Sequence, residues 1–470
     1  MTSDLGGGLP SAGPVPMNEP ALRVPEPPDL EGHRRARDRR LLISVVTSFG
    51  SQFVTTLLGF VSVPIGLHYL GKDTFGLWSA VTSLIVWGSL VDLGVSRGLV
   101  NAMSEAHGRD DDAAARSYLS TAFFALLAVA VVCAAVATVL VPLISWSGLL
   151  GVSQLSPNLV RRSVAAALAV FIIGLPLGVV QHVYAAYQRL YIANAFAIVG
   201  SAASLLALAL AAHAGASLPA LILTIGLTGH AVSVVTLLVA TRRTMPWLGT
   251  SPRCVTREAW QRLRQSAAPL FLFQVGALLV NETQIVILAR RTDLATVASY
   301  SVLMRLYVGV SSILALGTAA FAPALREAHE RSDRRWVTTG FRRLLALRCG
   351  LAALMGGALI IAGNAVLRLW VGRGIRFSEA TWVALTVLMA CAVWVTAFSD
   401  LLIALDRIWI QVALVVPNGV VTLVGTYLLA PRHKVLGVLV ATMLVSGAVL
   451  TWLMPLLARR LLRHPSAVVA

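Results

Sequence analysis

Apolar stretches of about 20 residues recur along nearly the whole chain, separated by short polar breaks. Each is long enough to cross a hydrocarbon layer of about 30 Å as a helix, which satisfies its own backbone groups there. We read twelve spans, near residues 41–66, 75–103, 117–146, 164–187, 191–213 and 218–241, then 267–290, 295–322, 344–370, 380–404, 408–430 and 435–458. A chain that is 57% hydrophobic and 13% charged is too apolar for a soluble protein of 470 residues. The fold class is all-α and membrane-integral.

Charge placement gives the spans a direction. Of the 38 Lys and Arg, 25 fall on the side of the N-terminus, clustered in 34–40, 242–264, 326–348 and 459–463. Ten fall on the opposite side, and Arg23, Arg97 and Arg305 belong to the tail or the spans. This asymmetry predicts cytoplasmic termini. It also accounts for the net charge of +17 without nucleic acid as a partner.

The two halves share one plan. "SEAHGRDD" at 104–111 returns as "REAHERSD" at 326–333, and Glu105 against Glu327 sets an offset of 222 (327 − 105). The same offset pairs Arg40 with Arg262, Ser44 with Ser266, Gln52 with Gln274 and Ser79 with Ser301. Six spans per half is an even number, so the copies are parallel repeats about an axis along the membrane normal. Such halves commonly enclose a central cavity and transport by rocking against each other. The expected organisation is a disordered, Pro/Gly-rich basic tail at 1–40 and a six-helix half at 41–241. A basic cytoplasmic linker follows at 242–266, then a second half at 267–458 and a tail at 459–470. The tail has no apolar signal-peptide core. In the repeated peptide Glu105 precedes Arg109 by four residues, the favourable order for a helical ion pair, so we read it as one structural element built twice.

Polar residues inside spans mark candidate sites. Gln52 lies on a small, polar stripe of span 1, and Gln274, Asn281 and Gln284 on the equivalent face of span 7 with Glu282 at its edge. These matched faces are expected to line one wet central cavity. Glu282 and Arg305 each cost about 2.5–3.5 kcal/mol at mid-span, so each needs a partner or water. Similar depth on adjacent antiparallel helices makes an ion pair between them the expected arrangement. Asp92 and Arg97 lie toward the cytoplasmic end of span 2, where interfacial anchoring is the simplest role. The four cysteines read as unpaired thiols, three within spans and one in the linker. No Walker loop, dinucleotide turn or metal-spaced His/Cys cluster is present, so no cofactor is expected. The energy source would be Na+, H+ or the membrane potential.

Residues 68–111 carry a pattern similar to bacterial polysaccharide exporters of the O-antigen flippase type, within the multidrug/oligosaccharidyl-lipid/polysaccharide exporter superfamily. The motif residues are Tyr69, Leu70, Gly71, Phe75 and Gly76, then Asp92 and Gly94. The turns "YQRLYIAN" and "LDRIWIQV" also resemble family turns after spans 4 and 10. The resemblance implies a non-enzymatic flippase of the bacterial inner membrane that moves undecaprenyl-pyrophosphate-linked oligosaccharide for surface polysaccharide synthesis. A polysaccharide polymerase and glycosyltransferases would be further partners, and the cavity would be cationic. The rival function is a cation-coupled drug or small-molecule exporter on the same fold. A membrane glycosyltransferase, polymerase or ligase fits less well, because the outer loops are short and nearly free of acids.

Overall fold

The computed structural model describes residues 30–92, 94–265, 274–276, 278, 282–314, 334–404, 408–445, 447 and 450–463. Among these residues the chain is helical: α1 (Leu30–Gly88), α2 (Val95–Gly108), α3 (Asp112–Leu143), α4 (Trp146–Leu150), α5 (Pro157–Leu177), α6 (Val179–Ala186), α7 (Leu190–His213) and α8 (Leu218–Val239) lead to the linker. There α9 (Arg257–Gln265) precedes α10 (Thr283–Arg291), α11 (Leu294–Leu314), α12 (Arg334–Trp370), α13 (Glu379–Ala404), α14 (Ile408–Val445) and α15 (Thr451–Arg463). Among the described residues, nine helical stretches are long and apolar enough to cross a membrane. Leu143, Ile361 and Leu369 stand 74–90% exposed, as expected of side chains that face lipid.

Two of the nine stretches are hairpins. Gly71 has φ 72 in the left-handed region, and a Cβ placed on Gly66 would lie 2.8 Å from the Trp78 ring. Twelve residues of straight helix would separate those positions by about 18 Å, so the chain reverses at Gly71. In α14 the reversal is at Lys434 (φ 48), with Gly425 and Ala441 brought side by side. The hairpins bring the count to eleven passes, and α10 is the described end of span 7. The first half lies in α1–α8 and the second in α10–α15.

Span 2 is not the continuous helix that its apolar run predicts. It breaks after α1, passes through a short 3₁₀ turn and restarts at α2 behind Gly94, whose φ of 77 suits glycine. Asp92 accepts hydrogen bonds from Ser96 N (3.2 Å) and Ser96 Oγ (3.0 Å). Its carboxylate therefore satisfies one of the free N–H groups in the first turn of the restarted helix. Span 4 also differs. It starts earlier, at Pro157 behind a Ser156 cap, and is interrupted at Gly178 two residues after Pro176.

The linker folds against the first half. Arg189 Nη1 donates to Thr244 O (3.0 Å), Arg116 Nε to Gly249 O (2.9 Å), and Ser251 N to Ser120 Oγ (3.2 Å). Helix α9 buries Ala259 and Leu263 against α2 and α3. Glu105 bridges Arg109 (2.7 Å) on its own helix and Arg262 on α9. The first copy of the repeated peptide is thus a structural clasp; the second copy lies outside the described residues.

Two predictions arise here. A Cβ on Gly98 would fall 2.2 Å from Leu263 O, so Gly98→Val is expected to lift α9 and expose 257–265 to limited proteolysis. The hydrogen bond from Arg262 is the main reason the exposed Glu105 carboxyl titrates below its ordinary value. The depressed value means that the clasp contributes at neutral pH and weakens as pH falls through Glu105's lowered value. Protease protection of α9 should fall in that acid window, and Glu105→Gln should flatten the dependence.

Candidate functional site

Polar side chains of span 7 enter a chamber inside the second half rather than the space between the halves. The chamber, of about 380 Å³, is walled by α10, α11, α13, α14 and α15. Glu282 lines it just before α10. Gln284 is buried and fully engaged at both ends: Nε2 donates to Thr442 Oγ1 (2.9 Å), and Oε1 accepts from the Tyr300 hydroxyl. Asn418 also lines the wall at 9% exposure, and among the described residues its Oδ1 has no hydrogen-bond partner. A buried acceptor of this kind costs about 1–3 kcal/mol unless a donor or cation reaches it.

A second cavity lies along the seam between the halves. It is a groove of about 410 Å³ between α1 and α11, lined by Phe49, Gln52, Phe53, Leu57, Phe60 and Ile313 among others. Gln52 stands in this groove, with Nε2 donating to Thr56 Oγ1 (3.4 Å). Arg305 lies one helical turn from Gly309 of the lining and faces α1: Nη1 is 3.9 Å from the point where a Cβ on Gly59 would be. On α11, Arg305, Gly309 and Ile313 follow at intervals of four and share one face. Tyr300, Met304 and Tyr307 line the chamber from another face.

The seam is closed at the end that carries the Gly71 turn. Gly76 approaches Leu294 so closely that a Cβ would lie 2.1 Å from the Leu294 carbonyl, and Gly309 admits the Phe60 ring in the same way. Ser83 Oγ donates to the Glu282 carbonyl (2.7 Å). Trp370 Nε1 donates to Phe60 O (2.9 Å), and the two rings pack at 4.6 Å. Pro64 explains why that carbonyl is free. Proline has no N–H, so the oxygen four residues before it loses its helical donor.

This geometry corrects two expectations. Glu282 and Arg305 form no ion pair, because α11 turns Arg305 toward α1 while Glu282 lines the chamber. Nor do the polar residues converge on one central cavity: Gln52 and Arg305 belong to the seam, Glu282 and Gln284 to the chamber. Gln274 falls at the start of a short described helical segment of span 7. Asn281 and the Arg97 side chain lie outside what is described. Sequence reading missed Asn418, although Asn418, Thr422 and Thr426 repeat at four on span 11 and all are buried. It also missed the ion pair from buried Arg348 to Asp400 (3.1 Å) that joins α12 to α13. The lone aspartate in span 10 was the available signal.

A family model described as "Polysaccharide biosynthesis protein" matches residues 41–329. The chain belongs to this family. Among curated relatives, the proposed O-antigen transporter of Salmonella typhimurium is 31% identical over 88 residues, which is 18% of this chain and 20% of that protein. Its counterpart in Salmonella typhi is 33% identical over 72 residues, or 15% and 17% of the two chains. The matches therefore span about a fifth of those relatives. Solved structures share the fold over nearly the whole length. An inward-facing multidrug resistance MATE family transporter of the MOP superfamily superposes with TM-score 0.70 at 14% identity, covering 91% of this chain and 99% of that one. The lipid II flippase MurJ, in an inward closed conformation, does so with TM-score 0.68 at 12% identity, covering 88% and 87%. The architecture is the twelve-span, two-repeat fold, and the family member described here is a multi-pass membrane protein.

Proposed function

We propose that the protein is a flippase that carries undecaprenyl-pyrophosphate-linked oligosaccharide across the bacterial inner membrane for surface polysaccharide synthesis. The observation that carries the reading is the pairing of a guanidinium with an apolar groove on the seam. A lipid-linked glycan presents a pyrophosphate next to a long hydrocarbon chain. Arg305 suits the first through bidentate contacts, and Phe49, Phe53, Leu57 and Ile313 suit the second. Both termini are cytoplasmic in this reading, so the groove is approached from the cytoplasmic side while the outer side is closed. The halves then rock to open the Gly71 end. In this reading the protein works with a polysaccharide polymerase and glycosyltransferases and catalyses no reaction itself.

The chamber supplies a site for coupling. Glu282, with the unpartnered Asn418 Oδ1 and Thr442 nearby, offers oxygen ligands for Na+ or a carboxylate for H+. Reconstitution tests the whole reading. In proteoliposomes loaded with undecaprenyl-pyrophosphate trisaccharide, a lectin outside should gain access to the glycan faster with the protein than without it. An imposed Na+ or H+ gradient should accelerate that gain, and Glu282→Gln should remove the acceleration. Equal rates with and without protein would refute the flippase reading.

A further inference from the structure

The end of the molecule that carries the Gly71 turn holds ten Lys and Arg against three acids, Asp73, Asp293 and Glu379. On the cytoplasmic-termini reading this is the outer end, which has fewer Lys and Arg than the inner one but few acids to balance them. Several of these cations have partners. Lys434 Nζ pairs with Asp293 (3.3 Å), and Arg291 lies over the Tyr427 ring at 4.3 Å. Lys72, Arg373 and Arg376 do not: all three are exposed, and among the described residues none forms an ion pair. Asp73 and Glu379 stand near them in sequence, and among the described residues neither bridges to a cation.

Lys72 and the loop that carries Arg373 and Arg376 come from opposite halves and meet on the seam. Lys72 follows the Gly71 turn of the first half; Arg373 and Arg376 sit in the 371–378 loop of the second. A Cβ on Gly374 would lie 3.4 Å from Lys72 Cε and 3.9 Å from its Nζ. The loop is held in shape from within. Asn364 Nδ2 donates to Phe377 O (2.8 Å), Phe377 N donates to Asn364 Oδ1 (3.0 Å), and Ile375 is buried. Its arginines are thereby presented from a fixed backbone. Like charges presented on the two sides of this contact repel, and an anion seated between them would relieve the repulsion and tie the halves together.

We propose that Lys72, Arg373 and Arg376 form a phosphate-binding site across the closed seam. A phosphate group suits it, because two arginine forks give parallel hydrogen bonds and the lysine adds a point charge. The phosphate has two sources, the pyrophosphate of a lipid-linked substrate leaving at this end or the headgroup of an anionic phospholipid. The first source rests on the flippase reading; the site itself does not.

The test uses the full chain in nanodiscs of phosphatidylcholine at low salt, followed by thermal unfolding. Inorganic pyrophosphate should raise Tm by a few degrees, and Lys72→Gln combined with Arg373→Gln and Arg376→Gln should weaken its binding by roughly tenfold or more. Arg305→Ala should keep the part of the shift that the triple variant loses, which separates this site from the seam groove. If pyrophosphate has no effect but nanodiscs containing phosphatidylglycerol give a shift that the triple variant loses, the site stands with the lipid headgroup as its ligand. The proposal is overturned if neither phosphate source shifts Tm. It is also overturned if the triple variant, eluting as the native protein does on gel filtration, keeps the full shift, or if Arg305→Ala alone removes it.

Discussion

Arg305→Ala should abolish export of the lipid-linked glycan while the protein still inserts and accumulates. A pyrophosphate crossing a low-dielectric path meets a high barrier, and a fixed cation at mid-depth lowers it. Removing Arg305 leaves the groove with Gln52 and Thr56 as its polar lining residues from α1, and neither carries charge. Arg305→Lys should retain partial export, since the charge survives while the fork is lost. Glu282→Gln should be as severe as Arg305→Ala if the carboxyl carries the coupling ion. The structure adds a constraint that the expected ion pair did not. Because the two charges occupy separate cavities, their effects on transport should be independent, and a partial Arg305→Lys defect should not be rescued by neutralising Glu282. Normal export by an Arg305→Ala variant at normal abundance would remove Arg305 from the site. Export assays alongside membrane abundance by immunoblot give both readings.

Trp370→Phe should shift the protein toward the form open at the Gly71 end. Phenylalanine keeps a ring to pack on Phe60 but deletes the Nε1 donor, and Pro64 ensures that no helical N–H replaces it. An unsatisfied carbonyl costs about 1–3 kcal/mol, which moves a two-state population by roughly 5- to 150-fold. The open form, in which Phe60 O reaches water, escapes that penalty. Pro64→Ala is the matched control: it restores a helical donor to Phe60 O, so in that background Trp370→Phe should have little further effect. Labels on Lys72→Cys and Gly374→Cys in an otherwise Cys-free protein would report the separation by double electron–electron resonance. An unchanged distance distribution in Trp370→Phe would show that the hydrogen bond does not hold the seam.

The sequence by itself determined the spans, their number and the duplication. Transfer of about 20 apolar residues from water to lipid depends on composition alone, and parity of the span count makes the repeats parallel. It also held the turn at Gly71, which requires backbone that glycine adopts most readily, but not the break of span 2 before Gly94, which falls inside an unbroken apolar run. What it could not determine was which face of each helix meets which neighbour. Arg305 and Glu282 lie at similar depth, and periodicity places both on polar positions. Only the packing of α11 between α1 and the second-half bundle turns Arg305 toward α1 while Glu282 lines the chamber. Trp370 and Phe60 are 310 residues apart, and Lys72 and Gly374 are farther apart than any local pattern reaches. Pairings of that kind depend on how the two halves close. Closure arises from shape at Gly76, Gly309 and Phe60, and shape is a property of the assembled helices rather than of any one segment.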